Sequence, residues 1–339
     1  LLLVPVVAFS QSCGKKSDAN KNPFDVDDDA NVQASRYYNP IISVSIPDPT
    51  VIRGEDGVFY IMGTEDVHNM VVYKSTDLVT WSRAGFAFRE SDRPSFISGG
   101  MMWAPEANYI DGTYVLYYTL ANTQTNRFGV GVACASKPEG PYTDKGKIIE
   151  QGVDVKTPGI SIDPFYYSEN GHSYLFYGCY AGIYYIELTD DGLSWKGDEP
   201  KQFAGSDYEG SMIHKHGDYY YYFGSLNGYQ TNYQLAVARS KSLLGPYTNK
   251  AGTNIMEHGG FELVFSGNST FTNTGHCSKI ITDDEGNDWI FLHAYTASLK
   301  NNDRYPHMYK VEWDKDGWPV INNDGKPSRI VTGVPAIKK

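Results

Sequence analysis

Five times along the chain, a glycine-containing turn runs into a strand of aromatic and β-branched residues. The segments are Asp56-Gly57-Val58-Phe59-Tyr60, Asp111-Gly112-Thr113-Tyr114-Val115, Asn170-Gly171-His172-Ser173-Tyr174, His216-Gly217-Asp218-Tyr219-Tyr220 and Glu285-Gly286-Asn287-Asp288-Trp289. Each reads as a hairpin turn entering a strand. The glycines are 55, 59, 46 and 69 residues apart. A second echo follows the turns. Val132-Ala133-Cys134-Ala135-Ser136-Lys137 returns 105 positions later as Val237-Ala238-Arg239-Ser240-Lys241, and both lead to Gly-Pro-Tyr, at Gly140 and at Gly245. Val72-Tyr73-Lys74-Ser75 with Trp81 is a looser copy. Units of this length built from strands and turns predict propeller blades of four strands. Sustained 3.6-residue amphipathic periodicity is missing, so helix content should be low. The expected fold is all-β, a five-bladed β-propeller. Two packed β-sandwiches would not explain the echoes.

A circular repeat brings equivalent points of its units to one axis. Asp48 in Ile46-Pro47-Asp48-Pro49, Asp163 in Ile162-Asp163-Pro164 and Glu209 in Tyr208-Glu209-Gly210 all lie just upstream of a repeat turn. These acids, far apart in sequence, should therefore share a pocket. Asp48 and Asp163 each precede a proline, which is expected to hold them extended and aim their carboxylates. An inverting glycosidase needs a base that activates water and an acid that protonates the leaving oxygen. The acid must keep its proton near neutral pH, through burial or a neighbouring negative charge.

The 339 residues carry a formal net charge of -11. Without a basic stripe to neutralise phosphates, a nucleic-acid partner is not expected. A glycine-rich phosphate loop between strand and helix is also missing, so neither a nucleotide nor a redox cofactor is expected. The 27 tyrosines suit strands and sugar-binding surfaces, and most should be strand filler. Of the four cysteines, Cys134, Cys179 and Cys277 fall in the domain. An odd number without CxxC spacing argues against a disulfide scaffold or zinc site, and these three should be small buried residues. His214 and His216 flank a hairpin turn and read as exposed, without a function.

The chain starts without Met. Its apolar run Leu1–Ser10 is too short to span a bilayer. It leads into Ser10-Gln11-Ser12-Cys13-Gly14-Lys15-Lys16, which resembles a bacterial lipoprotein signal with Cys13 lipidated after cleavage. The expected organisation is a signal-peptide remnant over 1–12, a lipidated tether without a core over 13–36, and the propeller over 37–339. The corresponding location is across the inner membrane of a bacterium, as a periplasmic or cell-surface lipoprotein whose contact with the membrane is the anchor at Cys13.

Seven stretches together resemble family 43 glycoside hydrolases, the arabinanase, arabinofuranosidase and β-xylosidase group. They are Asp48-Pro49-Thr50-Val51-Ile52, Met102-Trp103-Ala104-Pro105-Glu106, Ser161-Ile162-Asp163-Pro164, Tyr208-Glu209-Gly210-Ser211, Gly245-Pro246-Tyr247, Thr274-Gly275-His276-Cys277-Ser278 and Asp316-Gly317-Trp318-Pro319. The resemblance implies a five-bladed propeller with Asp48 as general base, Glu209 as general acid, and Asp163 orienting the acid and raising its pKa. It implies a largely water-coordinated calcium or other ion in the axial channel facing His276. It also implies Trp103 as a sugar platform and Arg304, in Asp303-Arg304-Tyr305-Pro306, reaching the pocket from the last blade.

Tyr177-Gly178-Cys179-Tyr180-Ala181-Gly182-Ile183 resembles the Gly-Ser-Phe-Trp-x-Gly-Ile segment of arabinan-directed members, which makes Tyr180 a candidate substrate contact. Leu292-His293-Ala294-Tyr295 resembles their last-blade His-x-Tyr. Tyr208-Glu209-Gly210-Ser211 is closer to exo-acting members. The implied substrate is an arabinose-containing plant cell-wall polysaccharide or oligosaccharide, cleaved at α-L-arabinofuranosyl linkages with inversion. The alternatives are β-xylosidase or exo-arabinofuranosidase action on arabinoxylan, within xylan degradation, and a non-catalytic glycan-binding surface propeller. The Asn-Asp-Pro-Asn-Gly signature of the related fructan hydrolases is absent.

Overall fold

A computed structural model describes residues 35–338. The expected signal remnant, Cys13 and all but the last residues of the tether lie outside the described residues. After a short strand β1 (Arg36–Tyr38), four-stranded antiparallel blades follow one another along the chain. Blade one is β2 (Thr50–Arg53), β3 (Phe59–Met62), β4 (Val71–Ser75) and β5 (Ser82–Phe86). Blade two is β6 (Met101–Ile110), β7 (Thr113–Asn122), β8 (Arg127–Ala135) and β9 (Thr143–Glu150). Blade three is β10 (Phe165–Glu169), β11 (His172–Gly178), β12 (Ile183–Leu188) and β13 (Lys201–Ala204). Blade four is β14 (Tyr208–His216), β15 (Tyr219–Leu226), β16 (Gln234–Ser240) and β17 (Glu262–Ser266). Blade five is β18 (Phe271–Gly275), β20 (Asp288–Thr296), β21 (Tyr305–Trp313) and β22 (Pro319–Ile321), with β19 (Ile281–Thr282) also pairing β20. The five sheets form the expected five-bladed propeller.

All five repeated glycines fall in the same place, the hairpin from a blade's innermost strand to its second. The aromatic runs after them are second strands, sandwiched between neighbouring blades. Alternate side chains of a strand point to opposite faces. In β7, Tyr114, Leu116, Tyr118 and Leu120 therefore pack with Tyr60, Met62 and Val72 of blade one, while Val115 and Tyr117 pack with Leu175, Tyr177 and Ile186 of blade three. Burial on both faces explains why these strands read as continuous apolar runs rather than alternating ones. Tyr117, Tyr118, Tyr177, Tyr221 and Tyr222 are among the largest fully buried side chains, which accounts for much of the tyrosine content. Cys277 is buried as expected, but Cys134 and Cys179 are only half-buried; among the described residues all three are free.

Each blade is one continuous stretch of chain, so closing the ring depends on contacts between its two ends. β1 pairs antiparallel with β23 (Ile330–Thr332). The Asn39 side chain accepts from the Met308 amide and donates to its carbonyl, both at 3.0 Å. Tyr37 donates its hydroxyl to the same carbonyl at 2.7 Å. On blade one, Arg53 donates to Asp284 of blade five at 2.6 Å. The Trp81 and Phe291 rings meet edge to face, 6.2 Å between centroids.

Candidate active site

The innermost strands begin at one end of the axis, and their first residues line a cavity of about 270 Å³. Asp48, Asp163, Glu209, Trp103, Arg304 and His276 all line it, together with Thr64, Asp66, Met101, Ile162 and Tyr229. Three of these innermost strands carry bulges here, between Trp103 and Glu106, Glu209 and Met212, and Thr272 and Gly275. A bulge adds a residue and re-aims side chains, which suits strands that must turn toward an axis.

Asp48 and Asp163 are not extended. Their φ angles are 50° and 56°, in the left-handed region, despite the prolines that follow. Such a conformation costs roughly 1–2 kcal/mol for an L-residue other than glycine. Tertiary hydrogen bonds hold it at both sites. The Asp48 amide donates to His293 Nδ1 at 3.1 Å, and the Asp163 amide donates to Thr119 Oγ1 at 3.0 Å. Each aspartate thus hangs from a side chain of an adjacent blade, and its carboxylate turns into the cavity.

Asp48 sits in a cationic and hydrogen-bonding nest. Its Oδ1 lies 2.9 Å from Arg304 Nη1, 3.2 Å from His293 Nδ1 and 3.3 Å from His276 Nδ1. Its Oδ2 accepts from Thr64 Oγ1 at 2.5 Å. Burial alone would raise its pKa, but Arg304, His276 and His293 outweigh it and hold this carboxyl well below the usual carboxylate range. Asp48 is therefore the ionised carboxyl of the site at neutral pH.

Glu209 and Asp163 shift the other way. Burial raises Glu209 to about 7, with the Asp48 charge adding to it and the facing hydroxyls of Tyr233 and Tyr180 opposing. The Tyr233 hydroxyl is buried and falls short of a full hydrogen bond. Burial, then the charges of Glu209 and Asp48, push Asp163 well above its ordinary value. Asp163 Oδ2 accepts from the Gly210 amide at 3.2 Å, beside Glu209 in the chain. The two acids form a coupled pair that holds a proton at neutral pH.

His276 connects both halves. Its Nδ1 is 3.3 Å from Asp48 Oδ1 and 3.9 Å from Asp163 Oδ2. The ring lies flat against Gly210, where a Cβ would meet His276 Nδ1 at 3.0 Å. Burial lowers its pKa, leaving a neutral imidazole. Nearby, His293 Nε2 and Thr274 Oγ1 are buried without hydrogen-bond partners among the described residues, and the His293 ring centroid is 6.4 Å from that of His276. Neutral nitrogen and unpaired polar atoms beside carboxylates fit a hydrated cation.

Trp103 reaches the cavity with its ring 6.2 Å from that of Phe128. Tyr180 lies against Glu209, and its hydroxyl donates to the Asn227 carbonyl. Sequence reasoning missed Thr64, Asp66 and Tyr229. Tyr229 has Arg304 Cζ 4.7 Å from its ring centroid. Asp66 accepts from Ser45 Oγ at 2.5 Å and is raised chiefly by burial. Thr64 and Asp66 follow the first blade's second strand, whose last residue, Met62, pairs with Thr50 beside Asp48, and that position was the signal available. Tyr229 lies in a blade-four loop with no such mark.

The cavity can therefore hold an ionised carboxylate and a protonated one on a common substrate. The sequence pattern of Glycosyl hydrolases family 43 matches residues 37–319. The chain is 30% identical over 324 residues to the extracellular exo-α-(1→5)-L-arabinofuranosidase ArbA of Cellvibrio japonicus, covering 85% of this chain and 89% of that one. It is 25% identical to extracellular endo-α-(1→5)-L-arabinanase 2 of Bacillus subtilis, over 82% of this chain and 70% of that one. The solved structure of Cellvibrio cellulosa α-L-arabinanase complexed with arabinohexaose matches with a TM-score of 0.73 and 28% identity, over 82% of this chain and 95% of that one. Fold, site and sequence converge: this chain belongs to glycosyl hydrolase family 43 and is a glycoside hydrolase.

Proposed function

We propose that the protein hydrolyses α-L-arabinofuranosyl linkages of arabinan or a related arabinose-containing polysaccharide, with inversion. The observation that carries this proposal is the opposed ionisation of two acids in one cavity, Asp48 held low and Glu209 raised to about 7. Asp48 takes a proton from water as the water oxygen bonds to the anomeric carbon. The bond from that carbon to the leaving oxygen breaks, and Glu209 gives its proton to that oxygen. Asp163 keeps Glu209 protonated by sharing its burial and charge. Trp103 offers a ring face to the sugar, and Arg304 and Tyr180 position Asp48 and Glu209.

The relatives' names support arabinan as substrate and a secreted location. Both exo- and endo-acting enzymes are among them. A cavity of about 270 Å³ is at the small end for a ligand site and favours release of terminal arabinofuranose. A calcium ion near His276 would take one imidazole nitrogen and water oxygens, and would add positive charge beside the carboxylates. Anchoring through Cys13 belongs to the same proposal.

The test is sugar release from linear arabinan, sugar-beet arabinan and arabinoxylan, resolved by product size. Monomeric arabinose supports the exo reading, and oligosaccharides from linear arabinan would make the enzyme endo-acting. Xylose alone would shift the substrate to xylan. Binding without release would replace hydrolysis by glycan capture. Glu209→Gln should lower turnover by about 10²–10⁴-fold, the usual contribution of a general acid.

A further inference from the structure

At the far end of β14 from Glu209, a second cluster of ligating side chains lies between blades four and five. His214 and His216 are two residues apart on this strand and so project from the same face. Contrary to the sequence expectation, neither is fully exposed; packing against blade five covers both. Opposite them Asp288 opens β20. His214 Nε2 is 3.9 Å and His216 Nδ1 4.0 Å from the same oxygen, Asp288 Oδ2. The three ligating atoms lie within 4.8 Å of one another.

We propose that His214, His216 and Asp288 form a binding site for a divalent transition ion of the zinc class, clasping blade four to blade five. Two imidazoles and a carboxylate are a donor set that zinc accepts, with water completing a tetrahedron. Ligand bonds of about 2.0–2.2 Å require these atoms to close by about an ångström, within reach of small side-chain rotations. The supporting contacts are already in place. Asp288 Oδ1 accepts from Thr282 Oγ1 at 2.7 Å, and Oδ2 accepts from Trp313 Nε1 at 2.9 Å. A carboxylate oxygen has two lone pairs, so Oδ2 keeps one for a metal. The His216 ring stacks on Trp313 with centroids 3.9 Å apart and planes 9° from parallel, which fixes its direction. Such outer contacts orient ligands in metal sites.

Charge supplies an independent argument. Asp288 is buried, and its ion-pair partners among the described residues are these two histidines. A buried carboxylate is stabilised by a cation held beside it. The site is separate from the axial cavity, since Glu209 and His216 are seven residues apart on one strand, about 20 Å at strand rise.

The test is isothermal titration of the full chain with zinc chloride after treatment with a chelator, alongside its thermal transition and tryptophan fluorescence with nickel. We expect one zinc ion per chain to bind at this site, a zinc-dependent rise in Tm, and quenching by nickel through Trp313. His216→Gln and Asp288→Asn should each weaken this binding at least tenfold, with hydrolysis unchanged. His172→Gln, altering an exposed histidine on another blade, should leave it intact. Saturable binding of equal affinity in His216→Gln, or its loss in His276→Gln alone, would overturn the proposal, as would no saturable zinc binding in the parent chain. Should Asp288→Asn unfold, His216→Gln decides, because the His216 side chain is 41% exposed and tolerates replacement.

Discussion

Arg304 Nη1 donates to Asp48 Oδ1 at 2.9 Å across 256 residues of sequence, joining the last blade to the first through the proposed catalytic base. Both side chains are close to nine-tenths buried. One ion pair therefore serves ring closure and keeps Asp48 ionised. Arg304→Met should raise the Asp48 pKa, bring an acidic limb into the measurable pH–rate profile, and lower stability by roughly 3 kcal/mol, as for a broken buried pair. Chemical denaturation and kcat/KM against pH check the two consequences separately. An unchanged acidic limb would remove Arg304 from this role.

With Asp48 low and Glu209 at about 7, kcat/KM should be level through mildly acidic pH and fall tenfold per unit above about 7. The linked effects on stability have opposite signs. The folded state holds the Glu209 proton more tightly than the unfolded chain does, so stability from this group is greatest below pH 4.5 and declines as pH rises toward 7. Asp48 is depressed, so its contribution is present above pH 3.8 and is lost as pH falls toward its folded pKa. Thermal transitions across this range, in the parent and in Glu209→Gln, isolate the first effect. The variant should lose the decline between pH 4.5 and 7.

Gly210 adopts φ +63° with the His276 ring against it. Gly210→Ala should cost about 1–2 kcal/mol from the left-handed backbone. It should also push His276 away from Asp48 and Asp163 and reduce turnover beyond what the stability loss explains. A Tm shift with full activity would show that the ring can move aside freely.

Trp103→Ala should raise KM about tenfold and leave kcat within a fewfold, because a stacking face binds ground state and transition state alike. A fall in kcat with unchanged KM would instead assign Trp103 to the transition state.

The local patterns in the chain carried the architecture. A turn glycine followed by an aromatic strand is a short-range signal, and five such signals mark the same hairpin in five blades. Asp48, Asp163 and Glu209 were legible for the same reason, since their positions relative to the turns imply an axis. Short-range patterns do not report partners hundreds of residues away. The left-handed backbone of Asp48 and Asp163 depends on His293 and Thr119, and nothing next to either aspartate announces it.

The sequence by itself determined the number of blades, the hairpin that opens each one, and the acids that meet. The tertiary structure decided what those acids can do. The Arg304 guanidinium bonds Asp48 directly, with His276 and His293 beside it, while burial dominates at Glu209 and Asp163, so identical chemistry in the chain acquires opposite proton affinities. It also turned His214 and His216, unremarkable beside a hairpin, toward a buried Asp288. Electrostatic free energy depends on distance and burial, and both exist only once the ring has closed.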